Sequence, residues 1–122
     1  MGTILLVDDD PKILKMLTRR LKKAGHEIHS AENGKAGIEK IASGLTPGMI
    51  LMDMNMPVMG GDEATRTLRR NGYEGLIVAL SASVTARDSG RALQAGCNCF
   101  IPKPVEADFE ERIRQLLAAG GA

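Results

Sequence analysis

Thr3-Ile4-Leu5-Leu6-Val7-Asp8-Asp9-Asp10-Pro11 joins a largely apolar run of strand length to three consecutive acids and a proline. A short apolar run without polar alternation is what a strand buried on both faces requires, as in a parallel sheet. Asp10-Pro11 supplies a helix N-cap followed by the residue best suited to the first helical position. The stretch therefore reads as a strand, an acidic turn and the start of a helix, with carboxylates placed where the strand ends.

The same order recurs along the chain and gives five βα units. The first helix carries Leu14, Leu17, Leu21 and Ala24 on one face, with Lys12, Lys15, Arg19, Lys22 and Lys23 mostly elsewhere, and Gly25 ends it. Glu27 to Ala31 is a second strand, and Asn33 caps a helix carrying Ile38, Ile41 and Ala42 before Gly44. Met49 to Met52 is a third strand that delivers Asp53 at its C-terminal end. A helix follows from about Asp62 to Arg70, closed by the turn signal Asn71-Gly72. Leu76 to Leu80 ends at Ser81, and a helix from Ala86 to Ala95 stops at Gly96, with Gly90 weakening it by about 1 kcal/mol relative to alanine. The fifth unit runs from Cys97 to Ile101, passes Lys103-Pro104, and continues into a helix with Phe109, Ile113, Leu116 and Leu117 on one face.

A chain of 122 residues is the size of one domain, expected here over 1–122 with 119–122 as a frayed tail or linker remnant. Lys plus Arg (16) nearly balance Asp plus Glu (15), so no overall field favours nucleic acid or an anionic membrane. No apolar run approaches the roughly 20 residues of a membrane span, and no basic leader precedes the first strand, which points to a cytoplasmic protein. Cys97 and Cys99 lack the further ligands of a closed metal site and read as idle thiols in a reducing compartment. His26 and His29, around the second strand, read as structural or solvated.

In an open parallel sheet ligands bind beyond the carboxyl ends of the strands, near the point where strand order reverses. Asp8 and Asp9 follow the first strand, Asp53 the third, Ser81 the fourth and Lys103 the fifth. Each has a bland explanation alone, as a loop acid, a helix cap or a surface lysine; their joint arrival at the strand ends of one rim does not. Carboxylates converging on one pocket repel by about 4 kcal/mol per pair at about 4 Å and an effective dielectric near 20. Mg²⁺ fits that need best, because it accepts a few carboxylates, keeps waters and bridges to phosphate. With Lys103 adding a point charge, the set suits phosphoryl transfer with Asp53 as nucleophile, forming an aspartyl phosphate.

At these residues the sequence resembles the bacterial receiver domain of two-component response regulators. The matching stretches are Leu5 to Asp10, Leu51 to Gly61 (Leu-Met-Asp-Met-Asn-Met-Pro-Val-Met-Gly-Gly), Ala79 to Ala82 and Phe100 to Pro104. The resemblance implies a flavodoxin-like (βα)5 fold, a doubly wound five-stranded parallel sheet of order 2-1-3-4-5. It implies Asp53 as the phosphorylation site and Asp8, Asp9 and Asp53 as Mg²⁺ ligands, completed by the backbone carbonyl of Asn55. Ser81 corresponds to the hydroxyl that hydrogen-bonds the phosphoryl group and Lys103 to the cation that pairs with it, while Phe100 corresponds to the aromatic that changes rotamer with Ser81. Asn55 and Ser83 correspond to positions that tune dephosphorylation. The implied donor is a histidine kinase or a histidine phosphotransfer domain, and output passes through the face of the fourth helix, fifth strand and fifth helix. No direct nucleic-acid binding and no conventional enzymatic turnover are expected, beyond Mg²⁺-dependent self-phosphorylation and slow autodephosphorylation.

Two positions depart from the family's usual pattern: Gly60-Gly61 stands where Asp-Gly is common, and Pro102 removes a backbone donor just before Lys103. The stretch Met56 to Arg70 most resembles receivers fused to hybrid sensor kinases. A phosphatase of the haloacid dehalogenase class would need an acid where Asn55 stands and room for a cap domain. A flavin-binding domain would place an anionic cofactor against three acids, and a receiver acting by binding alone would have no use for the complete residue set.

Overall fold

The computed structural model describes residues 2–56, 59–82 and 85–120. Five strands, β1 (Thr3–Val7), β2 (Glu27–Ala31), β3 (Met49–Asp53), β4 (Leu76–Ser81) and β5 (Cys99–Pro102), alternate with five helices. These are α1 (Pro11–Lys23), α2 (Gly34–Ala42), α3 (Gly61–Arg70), α4 (Ala86–Ala95) and α5 (Phe109–Gly120). All pairings are parallel, and the sheet runs β2-β1-β3-β4-β5, the flavodoxin-like order expected from the sequence. After β2 the chain returns across β1 to build β3, β4 and β5 on the other side, so the strand order reverses between β1 and β3. The crevice beyond their carboxyl ends is where such folds bind ligands.

Successive strand residues face opposite sides, and this alternation builds two core layers. Leu5, Val7, Ile50, Met52, Ile77 and Ala79 pack with Ala64, Leu68 and Ala92 of α3 and α4. Ile4, Leu6, Met49, Leu51, Val78 and Leu80 pack with Leu17 and Leu21 of α1 and Phe109 and Ile113 of α5. β1 and β3 are buried along almost their whole length, which is why both read as unbroken apolar runs.

Local signals set most of the helix ends. The Asp10 side chain accepts from Lys12 N at 2.9 Å, Asn33 Oδ1 accepts from Ala36 N at 2.8 Å, and Thr85 caps α4. α1 closes at Lys23, one turn residue before Gly25, so Ala24 lies outside the buried face assigned to it from sequence. α2 turns the glycines Gly34 and Gly37 inward and leaves Ala42 exposed, because close approach of the helix to the sheet leaves no room for side chains there. A Cβ on Gly37 would lie 3.0 Å from Val7 Cγ2.

β5 begins at Cys99 rather than Cys97, because Asn98 diverts the ladder: its N–H donates to the Ile77 carbonyl at 2.8 Å, and its Oδ1 accepts from Ile77 N at 2.9 Å. Pro102 ends β5 at the sheet's outer edge. Lys103 N donates inward to the Ser81 carbonyl at 2.8 Å, so by strand alternation the donor missing at Pro102 faces away from the sheet and costs no ladder bond.

Both cysteines are free, Cys97 in one core layer and Cys99 in the other. Burial pushes both thiols above their ordinary value, as expected of inert side chains. His29 is half-exposed and pairs with Glu27 at 3.0 Å. His26 is 7% exposed, its Nδ1 is buried without a hydrogen-bond partner among the described residues, and burial, with the positive N-terminus, lowers its pKa. A histidine whose folded pKa is depressed gives up stability as pH falls below the unfolded imidazole value of 6.5. Urea midpoints should therefore fall between pH 7 and pH 5 in the wild type and flatten in His26→Leu; an equal fall in both would place the acid sensitivity elsewhere.

Candidate functional site

The first strand's acids and the third strand's acid meet because β1 and β3 are neighbours in register, Val7 opposite Met52. Asp8 is 2% exposed and Asp53 1% exposed, while Asp9 is open to solvent. Carboxylate oxygens of Asp8, Asp9 and Asp53 all lie within 4.8 Å of one another. Such a set of hard oxygen donors, one of them solvent-facing, can hold a divalent cation that keeps part of its water shell.

The backbone fixes two of these acids. Asp8 N donates to the Ala31 carbonyl at 3.2 Å, and its Oδ1 accepts from Asp10 N at 2.9 Å. Asp53 Oδ1 accepts from Asn55 N at 3.2 Å, while Met54 N extends the ladder to the Leu80 carbonyl at 3.0 Å. The loop after Asp53 packs directly on the start of α3. A Cβ on Gly61 would sit 2.3 Å from the Asp53 carbonyl oxygen, whereas one on Gly60 would meet, among the described residues, only the movable end of the Asp62 side chain, at 2.9 Å. The glycine pair is thus asymmetric. Gly61→Ala should cost about 2–3 kcal/mol of stability and disturb the backbone of Asp53, read from urea unfolding; a cost below half that would mean the loop yields.

Lys103 reaches the acids from β5. Its Nζ lies 3.0 Å from Asp53 Oδ1 and 3.3 Å from Asp8 Oδ2, and its side chain is 17% exposed. Burial, opposed by the hydrogen bonds from Lys103 and Asn55 N and reinforced by the charge of Asp8, pushes the Asp53 carboxyl above its ordinary value. Burial works against the charge of Lys103, but the bonds and charges of Asp53 and Asp8 outweigh it and hold the ammonium above the usual lysine value. The result is a buried carboxylate of raised basicity, oriented by a cation: the makings of an oxygen nucleophile.

Ser81 is buried at the end of β4. With Met54, Asn55, Asp62, Asp88, Arg91 and Ala92 it lines a cavity of about 120 Å³ beside the acids. Phe100 is half-buried on β5 and packs on the layer that holds α3 and α4. Asn55 offers its N–H to Asp53. Ser83, read from sequence as a tuning position, lies outside the described residues, as does Pro57. The sequence reading missed three features: an apolar groove of about 270 Å³ between α1 and the segment after β5, lined by Ile13, Met16, Leu17, Leu80, Ala82, Lys103, Pro104 and Val105; a clamp in which Arg20 grips Glu110 at 2.7 Å through Nε; and the α3–α4 ion pair Asp62–Arg91. Only the basic run of α1 hinted at the second. Among the described residues no helix is long and apolar enough to cross a membrane.

Residues 4–116 match the family model described as the response regulator receiver domain. Protein PilH of Pseudomonas aeruginosa is 32% identical over 122 residues, covering 98% of this chain and 100% of its own length. The transcriptional regulatory protein PrrA of Mycobacterium leprae is 33% identical over 120 residues, and the match covers 98% of this chain but 51% of PrrA, so the chain spans about half the length of that relative. Among solved structures, the receiver domain of the sensor histidine kinase PA1611 from P. aeruginosa, with a magnesium ion coordinated in its active site cleft, superposes with a TM-score of 0.85 at 30% identity, covering 96% of this chain and 98% of that one. The doubly wound order, the acids gathered at its switch point, the lysine delivered by the last strand and a family match over nearly the whole chain converge on one assignment: the chain belongs to the receiver domains of two-component response regulators.

Proposed function

We propose that Asp53 is the phosphoacceptor, taking a phosphoryl group from a phosphohistidine of a histidine kinase or histidine phosphotransfer domain. The observation that carries this reading is the Asp53 carboxylate, buried, raised in basicity by that burial and held 3.0 Å from Lys103 Nζ. An Asp53 oxygen attacks phosphorus, the P–O bond forms as the P–N bond to the donor imidazole breaks, and the imidazole nitrogen keeps the bonding pair. Lys103 offsets the charge that gathers on the phosphoryl oxygens, and the Ser81 hydroxyl orients one of them. Asp8, Asp9 and Asp53, with the carbonyl of Asn55, would hold Mg²⁺, which when bound neutralises the acids and the phosphoryl oxygens.

The apolar groove ends at Lys103, beside the acceptor. It is bordered by α1, whose exposed residues include Lys12, Lys15, Arg19, Lys22 and Lys23 and no acid. That combination supports a protein rather than a small molecule as the natural donor. Phosphorylation adds about −2 charge; Ser81 and Phe100 respond to it together, and the face of α4, β5 and α5 carries the change to a partner. Asn55 and Ser83 set how readily water reaches the acyl phosphate.

Incubation with acetyl phosphate and Mg²⁺, followed by intact-mass measurement, tests the assignment. Wild type should gain one phosphoryl group and Asp53→Ala none. An adduct that survives in Asp53→Ala moves the acceptor elsewhere, and a wild type that gains nothing leaves a receiver that acts by binding alone.

A further inference from the structure

The cavity beside Ser81 and Asn55 has a charged lining that the transfer chemistry does not use: Asp62 from α3, and Asp88 and Arg91 from α4. Arg91 Nη2 lies 3.4 Å from Asp62 Oδ2, and the same oxygen is 3.7 Å from Arg66 Nη1 one turn along α3. Asp62 is 25% exposed and Arg91 61% exposed, so a largely covered carboxylate, reached by an arginine from the surface, ties α4 to α3 at the cavity. The tie matters because α4 is thinly attached. It buries only Ala92 and Ala95, Gly90 contributes no side chain and a Cβ there would meet nothing within 4 Å among the described residues, and Leu93 is 50% exposed.

We propose that the Asp62–Arg91 ion pair sets the lifetime of the aspartyl phosphate, with both residues acting as positioning residues that hold α4 against α3 and restrict water on that side of the cavity. This rests on Asp53 being the acceptor. In hydrolysis a water oxygen bonds to phosphorus, the P–O bond to Asp53 breaks, the carboxylate leaves with the bonding pair, the water proton passes to solvent, and inorganic phosphate departs. In-line attack needs water on the face of phosphorus opposite the Asp53 oxygen. A space of about 120 Å³ has room for several waters at roughly 30 Å³ each, so how readily further water enters from the α4 side depends on how firmly α4 stays in place.

The test is the decay of the adduct formed with acetyl phosphate and Mg²⁺, followed by intact mass after the donor is removed. Arg91→Ala and Asp62→Asn should each shorten the lifetime roughly fivefold, the rate equivalent of the coupling found between contacting residues, while the rate of adduct formation is unchanged. The double variant should decay no faster than either single one, because each removes the same contact. Exchanging the charges, Asp62→Arg with Arg91→Asp, should restore most of the lifetime, and hydrogen exchange should show α4 amides less protected in the single variants and the double variant but not in the charge-exchanged one. Wild-type lifetimes in both single variants, or shortening that adds in the double variant, would overturn the inference. A wild type that forms no adduct overturns the acceptor assignment and this inference with it, so the two failures are separable.

Discussion

Lys103→Met is expected to slow phosphoryl transfer from acetyl phosphate by roughly 10²–10³-fold, which is about 3–4 kcal/mol of lost transition-state stabilisation, while binding Mg²⁺ more tightly. The first effect follows from position: Nζ lies 3.0 Å from Asp53 Oδ1 on a side chain 17% exposed, so the charge acts where water screens it little. The second follows from sign. An ammonium that balances Asp8 and Asp53 also repels a dication sharing their oxygens; a single and a double charge about 5 Å apart repel by roughly 1.7 kcal/mol even at the dielectric of water, so its removal should tighten Mg²⁺ by about tenfold or more. Titration calorimetry for the metal and intact-mass kinetics for transfer check the two halves separately. Weaker Mg²⁺ binding in the variant would mean that Lys103 organises the acids rather than competing with the ion. Linkage agrees with this picture. A carboxyl whose folded pKa is raised, as Asp53's is, opposes folding as pH rises past its ordinary value. Lys103, also raised, supports folding below the ordinary lysine value and loses that support as pH climbs through its own folded pKa. At neutral pH the metal-free site therefore holds two opposed contributions, the cost of ionising Asp53 and the support of a charged Lys103, and a bound dication would relieve the first.

Arg69→Ala is expected to lower stability by about 3 kcal/mol, a melting-point drop of roughly 10 °C for a domain of this size. Arg69 lies far from the acids, at the opposite end of the sheet. Its Nε donates to the Gly96 carbonyl at 3.0 Å, its Nη1 to the carbonyls of Tyr73 at 2.9 Å and Gly75 at 2.8 Å, and its Nη2 to Asn98 Oδ1 at 2.9 Å. The guanidinium also stacks over the Tyr73 ring at 5.6 Å. One side chain thus gathers the ends of α3 and α4 and the lead-ins to β4 and β5. Lysine cannot span these acceptors from a single point charge, so Arg69→Lys should recover less than half of the loss. Urea unfolding of both variants is the check; a drop under about 1 kcal/mol in Arg69→Ala would mean that water replaces the guanidinium without penalty.

The contrast between these two side chains marks what the sequence could disclose. Lys103 was legible because topology alone decides where it goes: a residue just past the last strand of a parallel sheet arrives at the rim where Asp8 and Asp53 already stand. Arg69 sits within a run of helix charges indistinguishable from a solvated face, and its partners are three backbone carbonyls 4, 6 and 27 positions away and the Asn98 side chain 29 positions away, which no periodicity encodes. The same holds for Asp62 and Arg91, separated by 29 residues. Strand and helix identities came through because burial on both faces leaves continuous apolar runs such as Met49 to Met52. Boundaries failed where a side chain replaced a backbone bond, as Asn98 does at the start of β5. The inward face of α2 was legible in part: Ile38 and Ile41 pack on the core as expected, but Gly34 and Gly37, its most buried residues, contribute no hydrophobic signal at all.

The proline at the end of β5 has a meaning beyond its neutrality for the ladder. A sheet of this order has two open margins, and each is a template on which foreign strands can grow into aggregates. β5 is four residues long, and Pro102 leaves its outward side short of a donor. The margin nearest the lysine is thereby blunted against templated strand addition at no expense to the native sheet.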